Sequence, residues 1–488
     1  MVQSGSTEMP AKTTHLMRID LKNVGQIESS TLELGGLTVI GGYNNLGKST
    51  IGKAIFAVIK AVNNSKLESY YEQTQELERI NSELEFRLRR SIGRNTYMRH
   101  SSFTLYRVSR EVEAFFSQSH PKGKKTTQKQ IDSFFKNLEK ESINFIREDL
   151  NNSLRGLSAR EKSDLQESDG SDREFIFKQI VSDYLAQVKE LYTKEKSEEA
   201  ERIEAFNRII RSIFHGEISN KNGGESSINV LSGNEKIISI SLEENKALSF
   251  TNKADLFPFT DVTLVESPFV LNSSATIIRD ALSPNLNASS SKFINYISAD
   301  IINKLIQASN ENIFLQEDLF TTPEQKEFAS IYKSLGKTIG GKVYFDKKST
   351  SFVFTNEENL TMPTENIASG IKSLGVTQLL LFAGVLNQNS FLIIDEPEVH
   401  LHPEWQIEYA KAIVQIANLG IYVMVSTHSP YMLEALKIYS EKFHLEKITT
   451  FYMGKKVRSG SDYVDVTDNL EPLLNQLAIP MQKLSFLK

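Results

Sequence analysis

Lys48 and Ser49 close an eight-residue run, Gly42-Tyr43-Asn44-Asn45-Leu46-Gly47-Lys48-Ser49, whose composition and spacing suit the holding of phosphate. Glycines let successive backbone N–H groups curl around phosphate oxygens, and a helix opening at Thr50 would add the partial positive charge of its N-terminus. The Lys48 ammonium can reach the terminal phosphates of a nucleotide, and the Ser49 hydroxyl can hold Mg²⁺. The amides of Gly42, Asn44, Asn45, Leu46, Gly47 and Thr50 complete the cradle. Read blandly, the same residues are a glycine turn packed on a sheet.

Two later segments end in residues that fit this chemistry. Phe391-Leu392-Ile393-Ile394-Asp395-Glu396-Pro397 is an apolar run closed by two carboxylates. Asp395 is expected to complete the Mg²⁺ shell, through water, and Glu396 to act as the general base on an attacking water. Taken alone, the run could simply end a buried strand in a solvated turn. Val423-Met424-Val425-Ser426-Thr427-His428 is a second such run, with His428 placed to sense the γ-phosphate or the water attacking it. A histidine at a strand end is often structural, and its position beside the other two segments favours the functional reading.

The elements that must position these residues follow from the pattern. An apolar run at residues 37–40 precedes the glycine loop, so a strand, a turn and a helix are expected there. Residues 391–394 and 423–425 read as strands buried on both faces, which parallel sheets produce. Ligands bind outside the carboxyl ends of such strands, where all three segments deliver their polar residues. Lys48 and Asp395 stand 347 positions apart, which requires a large insertion. Residues 65–100 and 126–220 carry helical stripes, one through Leu67, Tyr70, Tyr71, Thr74, Leu77 and Leu84, another through Val181, Tyr184, Leu185, Val188, Leu191 and Tyr192. Short strand-like runs at 228–231, 236–242, 247–251 and 262–265 follow, with Gly233-Asn234 and Glu244-Asn245 as hairpin turns. A small hairpin is expected at 343–345 and 352–354, a strand at 449–453 and a last helix near 470–477.

Together the three segments resemble the ABC-type ATPase heads of chromosome-maintenance, DNA-repair and phage-defence proteins. In those terms residues 42–49 are the Walker A loop, Asp395 and Glu396 end the Walker B strand, and His428 is the switch histidine. Ala368-Ser369-Gly370-Ile371-Lys372-Ser373-Leu374 lies where the signature motif should be, 26 residues before Asp395 counting from Ser369. Only Ser369 and Gly370 fit that motif, and Lys372 is an addition. In the family the motif caps the γ-phosphate of the nucleotide on the other subunit. The resemblance therefore implies ATP and Mg²⁺ as cofactors and a homodimer, or a higher oligomer built from it, with ATP at the interface.

The wording Asp-Glu-Pro-Glu-Val-His-Leu-His-Pro after the Walker B strand resembles the OLD-type branch, which includes the ATPase subunits of the Septu and PARIS defence systems and of some retron operons. There it implies an inter-subunit loop in which His402 touches the partner's nucleotide. A metal site built from Glu398, His400, His402 and Glu404 competes, although zinc on helices favours His at i, i+4. Glu266-Ser267-Pro268 stands where the family places its Q-loop, without the glutamine. In the OLD-type branch the effector nuclease is fused or separate; no acidic run for a two-metal nuclease follows His428, so a separately encoded nuclease or toxin is implied.

The fold expected is an α/β, ABC-type P-loop head: a mixed sheet with an antiparallel β layer and a large helical insertion. Its division would be a flexible tail at 1–14, a first lobe at 15–64 plus 226–272, the insertion at 65–225, a helical second lobe at 273–375 with the signature motif, and the core at 376–488. Forty per cent apolar residues suffice for such a core. No run of 18 apolar residues exists, which argues against a fused transporter. No cysteine is present, excluding disulfides and thiolate chemistry, and the polar start lacks a secretory h-region; a cytoplasmic protein is expected. A net charge of −5 argues against a wholesale nucleic-acid coat. Local clusters (Arg87, Arg89, Arg90, Arg94 and Arg99; Lys122, Lys124, Lys125 and Lys129) are either solvated faces or a groove for a nucleic-acid backbone. Three readings stay open: a defence-complex ATPase that senses nucleic acid or a phage component, a repair-type ATPase that clamps DNA directly, and a nucleotide-gated scaffold.

Overall fold

The computed structural model describes residues 17–92, 110–112, 114–115, 128–155, 170–194, 196–220, 224–253, 257–273, 295–311 and 323–485. The tail at 1–14 and Arg94, Arg99, Lys122, Lys124 and Lys125 lie outside them. The chain forms two compact units: a head, up to Glu68 and from Glu198 onward, and an insertion, Ser69–Ser197.

The head begins with β1 (Met17–Val24), β2 (Ile27–Leu34), β3 (Leu37–Gly41) and α1 (Lys48–Asn63). The insertion's helices are α2 (Ser65–Ile92), which starts in the head, α3 (Gln128–Arg155) and α4 (Gly170–Thr193). The head resumes with α5 (Glu198–Ile213), β4 (Ser226–Ser232), β5 (Glu235–Glu243), β6 (Lys246–Asn252), β7 (Asp261–Val265), α6 (Tyr296–Glu311) and α7 (Pro323–Ile339). Then come β8 (Gly341–Asp346), β9 (Ser351–Asn356), β10 (Thr361–Pro363), α8 (Ser369–Phe382), β11 (Ser390–Asp395) and α9 (Pro403–Asn418). The chain closes with β12 (Tyr422–Thr427), α10 (Pro430–Lys442), β13 (Thr449–Val457), β14 (Gly460–Asp465) and α11 (Glu471–Ser485).

Eleven strands make one mixed sheet in the order β6-β5-β4-β1-β2-β14-β13-β3-β12-β11-β7. From β13 to β7 all neighbours are parallel. Residues of β3 are buried throughout, as are the first five of β11 and the last five of β12, which is why these stretches read as unbroken apolar runs. The strands from β6 to β2 are antiparallel and alternate in burial. Glu244 and Asn245 both have positive φ, the geometry of a two-residue turn whose twist matches the strands it joins. The expected antiparallel layer is thus part of the same sheet, joined to the parallel half where Ser461 of β14 pairs with Ile27 of β2. This is an α/β P-loop fold with a large mixed sheet.

Helix α1 carries Lys48 at its start and runs deep in the core, with Phe56, Ala57 and Val58 essentially inaccessible. Gly52 lets it press on the sheet: a Cβ there would lie 3.0 Å from Ile393 Cγ2. In the insertion, Leu77, Ile80, Leu84, Phe135, Leu138, Val181, Tyr184, Leu185 and Val188 form a separate core. The first expected stripe is shifted, because Leu67 and Tyr71 are exposed while Glu68 and Ser69 are buried. Glu68 is turned inward by charge: it pairs with Arg208 at 3.3 Å and accepts from Tyr296 Oη at 2.6 Å. The insertion also ends earlier than the expected 225. Helix α5 packs on α1 and β6, with Phe206 edge-on to Phe250 at 5.9 Å between centroids. The expected small hairpin gains a third strand, β10.

Candidate functional site

Register brings the three polar strand ends level. Thr427 pairs with Gly41 and Ser426 with Asp395, so the glycine loop, the carboxylates and His428 leave the sheet side by side. The loop itself needs its glycines: Gly42 has φ 144° and Gly47 has φ 81°, backbone that a side chain strains. A Cβ at Gly42 would also sit 3.3 Å from Gly454 N and from Leu46 Cδ1. Behind the loop, Ser461 Oγ and Tyr463 Oη both donate to the Leu46 carbonyl, at 2.6 and 2.7 Å. They come from β14, more than 400 residues away in sequence, and no local pattern around Leu46 announces them.

Lys48 lies in the mouth of the loop, donating to the Tyr43 carbonyl at 2.8 Å and to the Gly42 carbonyl at 3.3 Å. Its Nζ is also 3.4 Å from His428 Nδ1. Burial holds the Lys48 amine below its usual value, against the opposing charges of Glu396, Asp395 and Glu398. His428 Nε2 lies 2.8 Å from Glu396 Oε1. An ammonium can only donate, so Nδ1 accepts from Lys48 and Nε2 carries the proton toward Glu396. Lysine, histidine and glutamate therefore stand in one hydrogen-bonded line.

The turn after β11 is tightly held. Glu396 has φ 49°, a left-handed conformation that costs a non-glycine residue strain and gathers at functional sites. Its amide donates to the Ser426 carbonyl at 3.0 Å and to Ser426 Oγ at 3.2 Å, while Ser426 Oγ donates to Asp395 Oδ1. Glu398 Oε1 accepts from the His428 amide at 2.5 Å. Burial pushes the Glu398 carboxyl above its usual value, against hydrogen bonds from the His428 and Glu398 amides and the Thr427 hydroxyl; its Oε2 is buried without a partner.

Other expected residues lie around this centre. Ser49 and Thr50 sit partly exposed in the first turn of α1, and Asn44 and Asn45 are exposed on the loop. Ser369 and Gly370 open α8, where a Cβ on Gly370 would be 3.1 Å from the His400 carbonyl. Their motif therefore packs on the segment that follows Glu398. His402 Nδ1 accepts from the Glu404 amide at 3.4 Å and caps α9, a reason for His-Pro here that is local and structural. The His400 ring meets Phe269 instead, at 5.5 Å. No cluster of three metal-ligating residues occurs among the described residues. Glu266 is ion-paired to Lys53 at 2.8 Å. A cavity of about 430 Å³ beside the loop is lined by Tyr43, Asn44, His428, Gln476 and Leu477. Gln476 and Leu477 come from α11, which carried no site signal in the sequence.

Residues 15–433 match the model of a family described as the AAA ATPase domain. The chain belongs to that family. Solved structures similar to this AAA ATPase domain protein include head domains of SMC proteins. The SMC head domain from Thermotoga maritima aligns over 92% of this chain and 98% of its own, at 11% identity and TM-score 0.34. An Smc head bound to the C-winged helix domain of ScpA aligns over 94% and 98%, at 11% and 0.38. The Smc head with a coiled coil and joint from Pyrococcus yayanosii aligns over 95% and 99%, at 12% and 0.33. At these scores the likeness carries no argument, and the fold rests on the strand order and register of this AAA ATPase domain protein itself. No curated protein matches it. No described helix is long and apolar enough to cross a membrane.

The residues present fit a nucleoside triphosphate with a divalent cation. The glycine cradle is open to phosphate and closed to side chains, and three carboxylates face a single ammonium, an excess of negative charge that a cation offsets. A hard cation needs few protein ligands because it keeps several waters, so Ser49 and Asp395 suffice as the proposed pair.

Proposed function

We propose that this AAA ATPase domain protein hydrolyses ATP to ADP and phosphate as a homodimer, two ATP molecules lying between the protomers, in the cytoplasm. Lys48 and the amides of Gly42, Asn44, Asn45, Leu46, Gly47 and Thr50 hold phosphates; Ser49 and Asp395 hold Mg²⁺. Mg²⁺ would offset charge on the phosphates and orient them. Glu396 takes a proton from the attacking water as its oxygen bonds to the γ-phosphorus and the bond to the β-phosphate oxygen breaks. His428 reports the γ-phosphate to Glu396, and Ser369 and Gly370 reach the nucleotide of the other protomer, with His402 close by. The observation that carries this reading is the line Lys48–His428–Glu396, with 3.4 and 2.8 Å separations. It joins the phosphate-binding residue to the proposed base through one imidazole.

The machine serves, in this reading, a bacterial antiviral complex: nucleotide-driven closure senses nucleic acid or a phage component and holds or licenses a separately encoded nuclease or toxin. The Asp-Glu-Pro-Glu-Val-His-Leu-His-Pro wording supports that branch. The test is the Glu396→Gln chain, expected to keep nucleotide affinity while hydrolysis falls by roughly 10²- to 10⁴-fold. Purified with ATP and Mg²⁺ from cells carrying its native gene neighbourhood, it should bring down a stoichiometric effector. Recovery with DNA and no second protein would replace this reading with a DNA clamp, and unchanged hydrolysis would remove Glu396 from the mechanism.

A further inference from the structure

Helix α11 brings to the glycine loop a side chain that the mechanism above leaves unused. The helix start is fixed, because Asn469 Oδ1 accepts from the Glu471 amide at 3.0 Å. Leu473 is fully buried against Gly41, where a Cβ would come within 2.8 Å of Leu473 Cδ2. Residues three and four positions apart share a helix face, so Gln476 and Leu477 follow Leu473 toward the loop. Both line the cavity of about 430 Å³ beside it. Strand β14, which precedes α11, also holds the loop, through Ser461 and Tyr463 on the Leu46 carbonyl. One frame therefore carries the loop and Gln476 together.

Between Leu473 and Leu477 a glutamine interrupts an apolar face. Its carbonyl oxygen is buried and finds no hydrogen-bond partner among the described residues. A buried carbonyl without a partner has lost the bonds it made in water, and in a folded protein such a group calls for a reason. Service to a molecule that arrives in the cavity is one.

The cavity lies at the γ-phosphate end of the proposed nucleotide. Loop amides cradle the inner phosphates and the loop lysine reaches the outer two, so the γ end is where Lys48 meets His428, at 3.4 Å. His428 lines the cavity, whereas Ser49 and Thr50 are not among its described lining residues. In-line attack on the γ-phosphorus comes from the side away from the β-phosphate, which is the cavity side. Among the lining side chains, His428 has both ring nitrogens engaged, by Lys48 and Glu396, and Leu477 has no polar atom. Tyr43 and Asn44 stand exposed on the loop. Gln476 joins a buried, unpartnered acceptor to a donor on the same uncharged group.

We infer that Gln476 is a catalytic residue of the proposed hydrolysis, accepting a hydrogen bond from the attacking water and donating one to a γ-phosphate oxygen. The water oxygen bonds to the γ-phosphorus, the bond to the β-phosphate oxygen breaks, and one water proton passes to Glu396. The other proton is the one that points at Gln476, which itself gains and loses nothing. The inference rests on the hydrolysis reading above and does not depend on the dimer.

The test uses the full-length chain with Gln476→Met, which keeps the volume and removes both polar atoms. Its kcat should fall roughly 100-fold with KM little changed. With Mg²⁺, ADP plus orthovanadate mimics the phosphoryl group in transit and should bind the parent roughly 100-fold or more tighter than ADP alone. Gln476→Met should bind ADP as the parent does and lose most of that gain. Gln476→Glu keeps the shape but turns negative charge on the γ-phosphate, so it should weaken ATP binding while leaving ADP binding unchanged. A Gln476→Met chain at the parent kcat overturns the inference, as does a slow one that keeps the vanadate gain. Equal effects of Gln476→Glu on ATP and ADP also overturn it. Glu396→Gln separates the two levels: inactive beside a fully active Gln476→Met, it leaves the hydrolysis reading standing and removes the inference alone. Active at the parent rate, it removes both.

Discussion

Glu398 fastens two turns that the proposed chemistry needs in fixed relation. Its carboxylate belongs to the turn after β11, and it grips the amide of His428 after β12. Loss of that grip lets the imidazole drift from Glu396, and misplacement of about 1 Å costs roughly 100-fold in rate. Glu398→Ala should therefore lower kcat by about 10- to 100-fold with KM little changed, and add nothing in a His428→Ala background; a full additive loss would show that Glu398 acts elsewhere. Glu398→Gln keeps the acceptor and should stay near the parent rate. The two also differ in pH dependence. Burial raises the Glu398 carboxyl above its ordinary value of 4.5 in the fold. Its contribution to stability is therefore complete below 4.5 and is lost as pH rises through the folded value. Glutamine has no such loss, so the Tm of Glu398→Gln relative to the parent should climb as pH rises above 4.5. The sequence displayed Glu398 as one of four crowded metal-like residues. Only the register of β11 against β12 reveals that it serves a histidine 30 positions on.

Helix α1 links the phosphate loop to a buried charge group at its far end. Lys60, in the last turn, pairs with Asp261 at 2.8 Å and Asp300 at 2.6 Å. Lys304 closes the square on the same two carboxylates, at 2.6 and 3.1 Å. Burial works against charge on Asp261, and the ammoniums of Lys304 and Lys60 overcome it, leaving its carboxyl below the usual value. Lys60→Met strands buried negative charge and should destabilise the head by about 3 kcal/mol, read as a lower midpoint in urea. Lys60→Met combined with Asp300→Asn should recover part of it; a double variant no better than the single would mean the charges do not act as a group. At this scale, what the sequence made legible was what is local. The strand, glycine turn and helix at residues 37–63 and the buried runs of β11 and β12 announce themselves through apolar continuity. The Lys60 square, the Ser461 and Tyr463 anchors, and the shifted stripe on α2 arise from partners remote in sequence, so neither periodicity nor spacing contains them.

Two separate cores make the molecule two thermodynamic parts. The head's core runs through the sheet, α1 and the helices on it, whereas the insertion buries its own set around Leu77, Phe135 and Val188. Units with their own cores unfold as their own cooperative transitions unless a large apolar surface joins them. Every residue proposed to hold nucleotide or Mg²⁺ belongs to the head. A ligand stabilises only the state that binds it, by about 2.7 kcal/mol at one hundred times Kd. Calorimetry of the Glu396→Gln chain should therefore resolve two transitions, of which ATP with Mg²⁺ moves one upward and leaves the other in place. EDTA should reverse much of that shift by removing the cation that Ser49 and Asp395 would hold. The stationary transition should be the one lowered by Leu84→Ala or Val188→Ala, since both residues belong to the insertion's own core. If nucleotide instead moved both transitions together, the insertion would be energetically coupled to the closed site, and a signal received on its helices could be transmitted to Glu396.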